Sequence, residues 1–242
     1  MHNKTILITG AAKRIGATIA EHLHQAGANI IIHYNTSATE AHEFVRKLNN
    51  VRHDSAITIH ADLRYKEYYP AVIDAALEFK GNIDVLINNA SAFYPTPIKS
   101  LSDDDWDTLI NTNLKAPLFL SKLAADSLRK NKGCIINITD IHAHRPLDEH
   151  PIYCVSKAGL VMLTQSLAKE LAPIRVNAVS PGAISCPDEM DDNTKQEILG
   201  KTVLKRTGTA DDIAKAVIFL IKDADYITGQ MIDVDGGRTL YS

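Results

Sequence analysis

A tyrosine and a lysine four positions apart, Tyr153 and Lys157, are the residues of this sequence best suited to acid–base chemistry. Residues with this spacing share one face of a helix, which brings the phenol near the ammonium group. A close ammonium group stabilises the phenolate and lowers the pKa of a tyrosine below its ordinary value of about 10. We therefore predict that Tyr153 donates a proton near neutral pH.

Two polar residues earlier in the chain complete a candidate catalytic set. Asp140 follows a predicted strand thirteen residues before Tyr153, and Asn113 lies forty residues before Tyr153. A tyrosine and a lysine with helical spacing are common by chance, but their combination with Asn113 and Asp140 in this order is not. The alternative is that Asp140 merely caps a turn, a position that aspartate favours.

A glycine-containing turn near the start of the chain has the context of a dinucleotide site. A predicted strand runs into the turn, and a predicted helix follows it. The N-terminus of such a helix presents N–H groups and a partial positive charge to a pyrophosphate. An ordinary strand-to-helix turn is the alternative. The candidate cofactor-binding residues of the turn are Gly10, Lys13, Arg14, Ile15 and Gly16.

The charges and polar groups of this region favour NADPH over NADH. Lys13 and Arg14, which stands where a further glycine is usual, place cations beside the expected phosphates. The second predicted strand ends without the acidic residue that binds the ribose 2′-hydroxyl of NAD. Its polar side chains can instead donate hydrogen bonds to a 2′-phosphate, although no arginine follows this strand. The residues at this strand end are Tyr34, Asn35, Thr36 and Ser37.

The same edge of the predicted sheet carries two more polar segments. Asp62 and Leu63 follow the third predicted strand, and Asn89, Ala90 and Ser91 follow the fourth. The carboxyl ends of parallel strands form the ligand side of such sheets, which predicts that both segments contact the cofactor. Taken singly, each segment could also be a turn or a helix cap.

Short apolar runs alternate with segments in which apolar positions recur every three to four residues. This alternation predicts strands separated by amphipathic helices, and therefore an α/β fold with a parallel sheet. The predicted strands are residues 5–9, 29–33, 56–60, 85–88, 134–138, 176–179 and 231–234. The predicted helices are residues 15–26, 39–48, 71–78, 106–129, 152–171 and 210–221.

The composition is that of an ordinary globular protein, with 242 residues, 45% of them apolar, which suits one domain. A net charge of −3 is too small to indicate a nucleic acid or an anionic membrane as partner. No apolar run reaches the roughly 18 residues of a membrane span, and no signal sequence is evident, so we expect a cytoplasmic protein. Three cysteines without paired spacing predict free thiols and no metal site.

One segment breaks the alternation of strands and helices. Residues 186–205 are polar and long for a connection, and they begin just after a predicted strand end. Long loops in compact domains tend to be functional lids or disordered segments. We predict a substrate lid over the ligand side of the sheet.

Together these residues resemble the short-chain dehydrogenase/reductase family over essentially the whole chain, from the glycine turn to residues 233–237. Finer features resemble the pteridine reductase branch of that family. One is Asp140, where most of the family has a serine. The others are the segments 11–14 and 89–97, and Ser180-Pro181-Gly182 followed by residues 186–190.

The resemblance implies a fold, an assembly and a set of roles. The fold is a Rossmann-type doubly wound sheet of seven parallel strands, and the assembly is a homotetramer built partly through helices 106–129 and 152–171. Tyr153 donates the proton, Lys157 holds the nicotinamide ribose, Asn113 supports a water relay and Asp140 replaces the serine. Asp62 and Leu63 hold the adenine. Pro181, Gly182 and Ile184 contact the nicotinamide, and the substrate pocket contains Arg14, Ser91, Phe93, Asp140 and Tyr153.

Asp140 also bears on the choice of substrate. A serine can donate a hydrogen bond to a carbonyl, whereas an ionised carboxylate only accepts, and a pterin offers amino and ring N–H donors. The leading hypothesis is therefore NADPH-dependent reduction of dihydropterin or dihydrofolate. A ketone or 3-oxoacyl reductase is the enzymatic alternative, and a dinucleotide-sensing protein is the non-enzymatic one. We expect His142, His144 and His150 to be solvated loop residues.

Overall fold

Seven parallel strands form one sheet in the computed structural model, which describes residues 1–184, 196 and 199–240. The strand order is β3-β2-β1-β4-β5-β6-β7. β2 and β3 are therefore added on one side of β1, and β4 to β7 on the other side. This change of side leaves a crevice at the carboxyl ends of the strands, where ligands bind in such folds. The strands are β1 (Thr5–Ile8), β2 (Asn29–Tyr34), β3 (Ala56–His60), β4 (Val85–Asn88), β5 (Cys134–Ile138), β6 (Arg175–Pro181) and β7 (Met231–Val234).

Helices cover both faces of the sheet and account for its continuously apolar strands. Alternate residues of one strand face opposite layers: Ile6 and Ile8 pack in one buried cluster, and Leu7 packs in the other. The predicted doubly wound Rossmann-type fold is confirmed. The helices are α1 (Arg14–Gln25), α2 (Ala38–Val51), α3 (Tyr69–Lys80), α4 (Asp103–Ile110), α5 (Ala116–Lys130), α6 (Pro151–Glu170) and α7 (Ala210–Lys222).

The predicted helix 106–129 is interrupted by a π-helical turn. α4 and α5 are joined by Asn111–Lys115, in which the Ala116 N–H group bonds to the Asn111 carbonyl. Pro117 explains the wider turn, because proline has no N–H group to donate to the carbonyl four residues earlier, that of Asn113. Such turns recur at functional sites. Here the turn carries a predicted catalytic residue.

The other predicted strands and helices agree with the structure to within three residues at each end. Most of the predicted lid, residues 186–195 and 197–198, lies outside the described residues. Within the described ranges, no helix combines the length and apolarity that crossing a bilayer requires.

The packing of α1 against the sheet generates a stability prediction. Leu23 is fully buried there, so Leu23→Ala should lower the free energy of unfolding by about 2 to 5 kcal/mol. The control Val51→Ala removes an exposed side chain and should change it by no more than about 0.5 kcal/mol. Urea titration of the two variants and the wild type measures both values. Equal losses in the two variants would contradict this packing.

Candidate active site

A cavity of about 630 Å³ lies along the carboxyl ends of β1, β2, β3 and β4. It joins segments that are far apart in the chain and that the sequence predicted to share one ligand. The predicted cofactor-binding residues in its wall are Gly10, Lys13, Arg14, Ile15, Gly16, Tyr34, Asn35, Thr36, Ser37, Leu63, Asn89, Ala90 and Ser91.

The turn between β1 and α1 is tightly packed. A Cβ atom added at Gly16 would lie 2.7 Å from the Gly10 carbonyl oxygen and 2.6 Å from Asn89 Nδ2, so only glycine fits. Arg14 has a φ of +54°, in the left-handed region that glycine usually occupies. This backbone conformation explains why a glycine is usual at the position of Arg14.

Two cations of the cavity wall are paired with carboxylates. Lys13 Nζ lies 2.9 Å from Glu40 Oε1, and Arg64 lies 2.6 Å from Asp62 Oδ2. The Arg64 guanidinium holds the pKa of the Asp62 carboxyl below its usual range. Sequence reasoning missed Arg64 because it looked for an arginine only after β2. The signal was the position of Arg64 directly after Asp62 and Leu63.

Three residues predicted to contact the nicotinamide lie farther along the sheet, at the end of β6. Pro181 ends that strand, the Gly182 N–H group donates to the Val234 carbonyl, and Ile184 forms an isolated bridge with Gly208. Among the described residues, these three do not belong to the wall of the 630 Å³ cavity. Their contact with the cofactor remains a prediction.

The predicted catalytic tyrosine and aspartate are joined directly. The Tyr153 hydroxyl donates to Asp140 Oδ2 over 2.7 Å, and Asp140 Oδ1 accepts from the His142 N–H group over 2.8 Å. Asp140 therefore caps the short turn after β5 and also binds Tyr153. The capping alternative thus describes one of its two contacts, and the catalytic role of Asp140 remains a prediction.

Lys157 is fully buried one helical turn from Tyr153. Its Nζ donates to the Ile138 carbonyl over 3.0 Å and lies 5.7 Å from the centre of the Tyr153 ring. Burial lowers the pKa of Lys157 to about 8, so its ammonium group remains largely protonated at neutral pH.

The predicted lowering of the Tyr153 pKa is wrong for this structure. Burial of the phenol, and after it the Asp140 carboxylate, raise the pKa of Tyr153 well above its usual range. Both causes disfavour a phenolate, the first through desolvation and the second through like charge. Tyr153 therefore holds its proton at neutral pH and can donate it to a strongly basic atom.

Asn113 lies in the π-helical turn and joins two parts of the site. Its Nδ2 donates to the Ala92 carbonyl and to Ser156 Oγ, both over 3.0 Å, and its Oδ1 accepts from the Ala92 N–H group. Ser156 Oγ in turn donates to the Tyr153 carbonyl. Asn113 thus ties the loop after β4 to the helix of Tyr153, and its part in a water relay remains a prediction.

An aromatic cluster borders the tyrosine. The edge of Phe93 meets Tyr153 with ring centres 4.7 Å apart, and Phe93 stacks on His150 at 4.8 Å. Phe93 is 57% exposed and so keeps surface available to a ligand. Of the three histidines expected to be solvated, His144 is exposed, whereas His142 and His150 are half-buried, His150 in this stack.

Comparison with known proteins identifies the family. A family model described as Enoyl-(Acyl carrier protein) reductase matches residues 10–239. Pteridine reductase 1 of Leishmania tarentolae is 37% identical over 97% of this chain and 96% of its own. Glucose 1-dehydrogenase 2 of Bacillus subtilis is 33% identical over 98% and 95%, and 3-oxoacyl-(acyl-carrier-protein) reductase FabG of Staphylococcus aureus is 36% identical over 97% of each. The chain belongs to the short-chain dehydrogenase/reductase family.

Membership of the short-chain dehydrogenase/reductase family makes this chain an oxidoreductase that acts on a small molecule with a nicotinamide dinucleotide. The resemblance predicted from the residues is confirmed at this level. The relatives named above are about equally similar to this chain, but their names give different substrates. The substrate must therefore be argued from the site. Across the described ranges, no group of three or more histidine, cysteine or acidic side chains is arranged to hold a metal ion.

The buried charge of Lys157 predicts a pH-dependent stability. Its pKa is about 8 in the folded chain and about 10.5 when exposed, so the folded protein releases this proton first as the pH rises. The cost of burying the ammonium group is complete below pH 8 and disappears between about pH 8 and 10.5. The stability of Lys157→Met relative to the wild type should therefore fall across that window.

Urea unfolding of the wild type and Lys157→Met at a series of pH values measures this difference. Lys99→Met, which removes an exposed lysine, is the control and should show no such trend. A difference between wild type and Lys157→Met that stays constant with pH would contradict the buried charge.

Proposed function

We propose that this short-chain dehydrogenase/reductase is an NADPH-dependent pteridine reductase that converts a dihydropterin or dihydrofolate to its tetrahydro form. The observation that carries the proposal is the 2.7 Å hydrogen bond from Tyr153 to Asp140, with the exposed ring of Phe93 in contact with Tyr153. This arrangement combines a proton donor, a carboxylate acceptor and an aromatic surface. Each of the three suits one property of a pterin.

The carboxylate of Asp140 distinguishes a pterin from a simple carbonyl substrate. A carboxylate accepts hydrogen bonds and cannot polarise a carbonyl oxygen by donation. Its oxygens already accept from Tyr153 and from the His142 N–H group, and their remaining lone pairs can accept from an amino or ring N–H group. A ketone would place its oxygen against this negative charge.

The proton and the stacking surface fit the reduction of a ring C=N bond. Tyr153 holds its proton because of burial and Asp140, and it would donate it to the ring nitrogen next to the reduced carbon. Phe93 would stack on the flat heteroaromatic ring, because aromatic faces associate in offset or parallel arrangements.

The residues of the glycine turn fit a dinucleotide. The clash that a Cβ of Gly16 would make with the Gly10 carbonyl shows that the start of α1 packs closely on the turn, and the N-terminus of a helix is where a pyrophosphate binds. Lys157 would hold the nicotinamide ribose, and Asp62 and Leu63 would hold the adenine. A bound NADPH would supply the hydride for the pterin ring carbon.

The polar residues around the adenosine end support NADPH rather than NADH. Asn35, Thr36 and Ser37 line the cavity together with Arg64, and none of the three residues that directly follow β2 is acidic. Arg64 supplies the cation that the end of β2 lacks. A guanidinium can bind a phosphate with two parallel hydrogen bonds, which suits the 2′-phosphate of NADPH.

A 3-oxoacyl reductase is the second candidate function, because FabG of Staphylococcus aureus is nearly as similar to this chain as pteridine reductase 1. The presence of a carboxylate at Asp140 favours the pterin. A purely dinucleotide-sensing protein is disfavoured by the buried Tyr153 and Lys157, since a sensor needs no proton donor.

Assembly as a homotetramer also remains a proposal. Two of the long helices expose large apolar side chains, which often mark contacts between subunits. These side chains are Leu118, Phe119 and Leu123 on α5 and Val155 and Met162 on α6.

The substrate proposal predicts the behaviour of two variants of Asp140. Asp140→Asn keeps the shape but loses the charge, and it should lower kcat for dihydrobiopterin reduction by roughly a hundredfold, as loss of a positioned acid–base group does. Asp140→Ser should lose a similar factor with dihydrobiopterin. It should gain carbonyl reduction, because a hydroxyl donor then faces the substrate oxygen.

Steady-state rates with dihydrobiopterin and with a 3-oxoacyl thioester, at saturating NADPH, test both functions at once. Tyr226→Phe is the control variant and should keep the wild-type rates, because Tyr226 is fully exposed. A wild type that reduces the thioester faster than dihydrobiopterin would favour the second candidate. Asp140 variants within threefold of the wild type would remove the main support for the pterin.

The cofactor proposal predicts a selective effect of Arg64. Arg64→Gln should lower kcat/KM for NADPH by about tenfold, because a charge-assisted hydrogen bond to phosphate is lost, and should leave NADH within twofold. The control is Arg129→Gln, since Arg129 also pairs with an aspartate but lies on the surface of α5. Equal losses with the two cofactors would show that Arg64 does not recognise the 2′-phosphate.

A further inference from the structure

His33 is a buried histidine at the end of β2 that belongs to neither the catalytic set nor the predicted cofactor contacts. Its side chain is buried, and it forms part of the cavity wall. The Gly10 N–H group donates to its Nδ1 over 3.1 Å, and its Nε2 lies 3.1 Å from the Ala61 carbonyl oxygen. Because a carbonyl only accepts, Nε2 carries the proton and Nδ1 is the acceptor.

The surroundings of His33 keep its ring neutral. Burial is the main cause that lowers the pKa of His33 to about 4; His60 acts in the same direction, and the Ala61 carbonyl and Asp62 act in the opposite one. The ring therefore keeps a lone pair on Nδ1 at neutral pH. One imidazole thus connects the glycine turn after β1 to the end of β3, across the strand that lies between them.

The glycine turn is held from two sides by neighbouring strands. On the β4 side, Asn89 Nδ2 donates to the carbonyls of Thr9 and Gly10, each over 2.9 Å. On the β2 side, His33 accepts twice: its Nδ1 binds the Gly10 N–H group and its carbonyl binds the Ala11 N–H group over 3.0 Å. The first two N–H groups of the turn therefore bind the protein, and the N–H groups at the start of α1 would be the ones that bind a phosphate.

We propose that His33 is a positioning residue that holds the glycine turn in the form that binds the dinucleotide phosphates. The inference rests on dinucleotide binding at this turn, as proposed above, and not on the identity of the substrate. In this proposal the His33 ring acts on the cofactor through Gly10. The hydrogen bond that matters is the one to Nδ1, because the bond to Ala61 orients the ring without touching the turn.

Three variants separate the two hydrogen bonds of the ring. His33→Asn can place its amide oxygen near the Nδ1 position and so keep the Gly10 contact. His33→Gln can place its amide N–H group near the Nε2 position and so keep the Ala61 contact. His33→Leu keeps neither. The measurements are the dissociation constants of NADPH and NADH by fluorescence titration, and the thermal unfolding of each variant.

We expect His33→Leu and His33→Gln to weaken NADPH binding by roughly tenfold, the effect of about one lost hydrogen bond, and His33→Asn to stay within threefold of the wild type. NADH should follow the same order, because the turn serves the phosphates that both cofactors share. Rescue by Asn and not by Gln distinguishes positioning from packing, since both variants replace the ring with an amide.

Equal weakening by Asn and Gln would overturn the inference, as would wild-type affinity in His33→Leu. If His33→Leu does not fold, the comparison of Asn with Gln decides alone. A wild type that binds neither NADPH nor NADH would overturn the proposed function and this inference with it. Normal binding by the wild type with the wrong order among the variants would overturn only the inference.

Discussion

The hydroxyl of Tyr153 has a single proton, and in this fold the proton points at a carboxylate. The donor oxygen and Asp140 Oδ2 are 2.7 Å apart, in a place where the tyrosine is almost wholly buried. Burial and the carboxylate both resist ionisation of the phenol, so the proton remains until a more basic atom arrives. A ring nitrogen that has just gained electron density from reduction is such an atom. Lys157, which was expected to lower the pKa of Tyr153, donates to the Ile138 carbonyl and lies 5.7 Å from the centre of the Tyr153 ring.

The rest of the site is built so that this hydrogen bond can form. Asp140 follows β5 and caps a short turn, which fixes one carboxylate oxygen and leaves the other for the phenol. α6 packs against β6 and against the short turn after β5, which brings Tyr153 within reach of Asp140. Asn113, in a π-helical turn that Pro117 imposes, bonds to Ser156 on α6 and to Ala92 beside the aromatic cluster. The catalytic and aromatic parts of the site are thus joined through one buried asparagine.

The sheet, the order of its strands and helices, and most of the cavity wall follow from the sequence, because apolar periodicity determines which segments are strands and parallel strands must end on one edge. Three features could not be predicted. The pKa of Tyr153 depends on its burial and on its distance from Asp140. Neither can be derived from the spacing of residues along the sequence. The contacts of the His33 ring with Gly10 and Ala61 depend on pairing between strands that are distant in the chain. His150 stacks on Phe93 through a loop whose path has no periodic signal.

The most direct test of the control of the Tyr153 proton by Asp140 is to measure the pKa of Tyr153. Tyrosinate absorbance can be followed against pH in the wild type and in Asp140→Asn, with Tyr153→Phe in each background subtracted to isolate the one phenol. The wild-type Tyr153 should remain protonated well above the ordinary tyrosine pKa of about 10, and in Asp140→Asn it should ionise at a lower pH because the facing negative charge is gone. A Tyr153 that ionises below about pH 9 in the wild type, or at the same pH in both proteins, would contradict the control of this proton by Asp140.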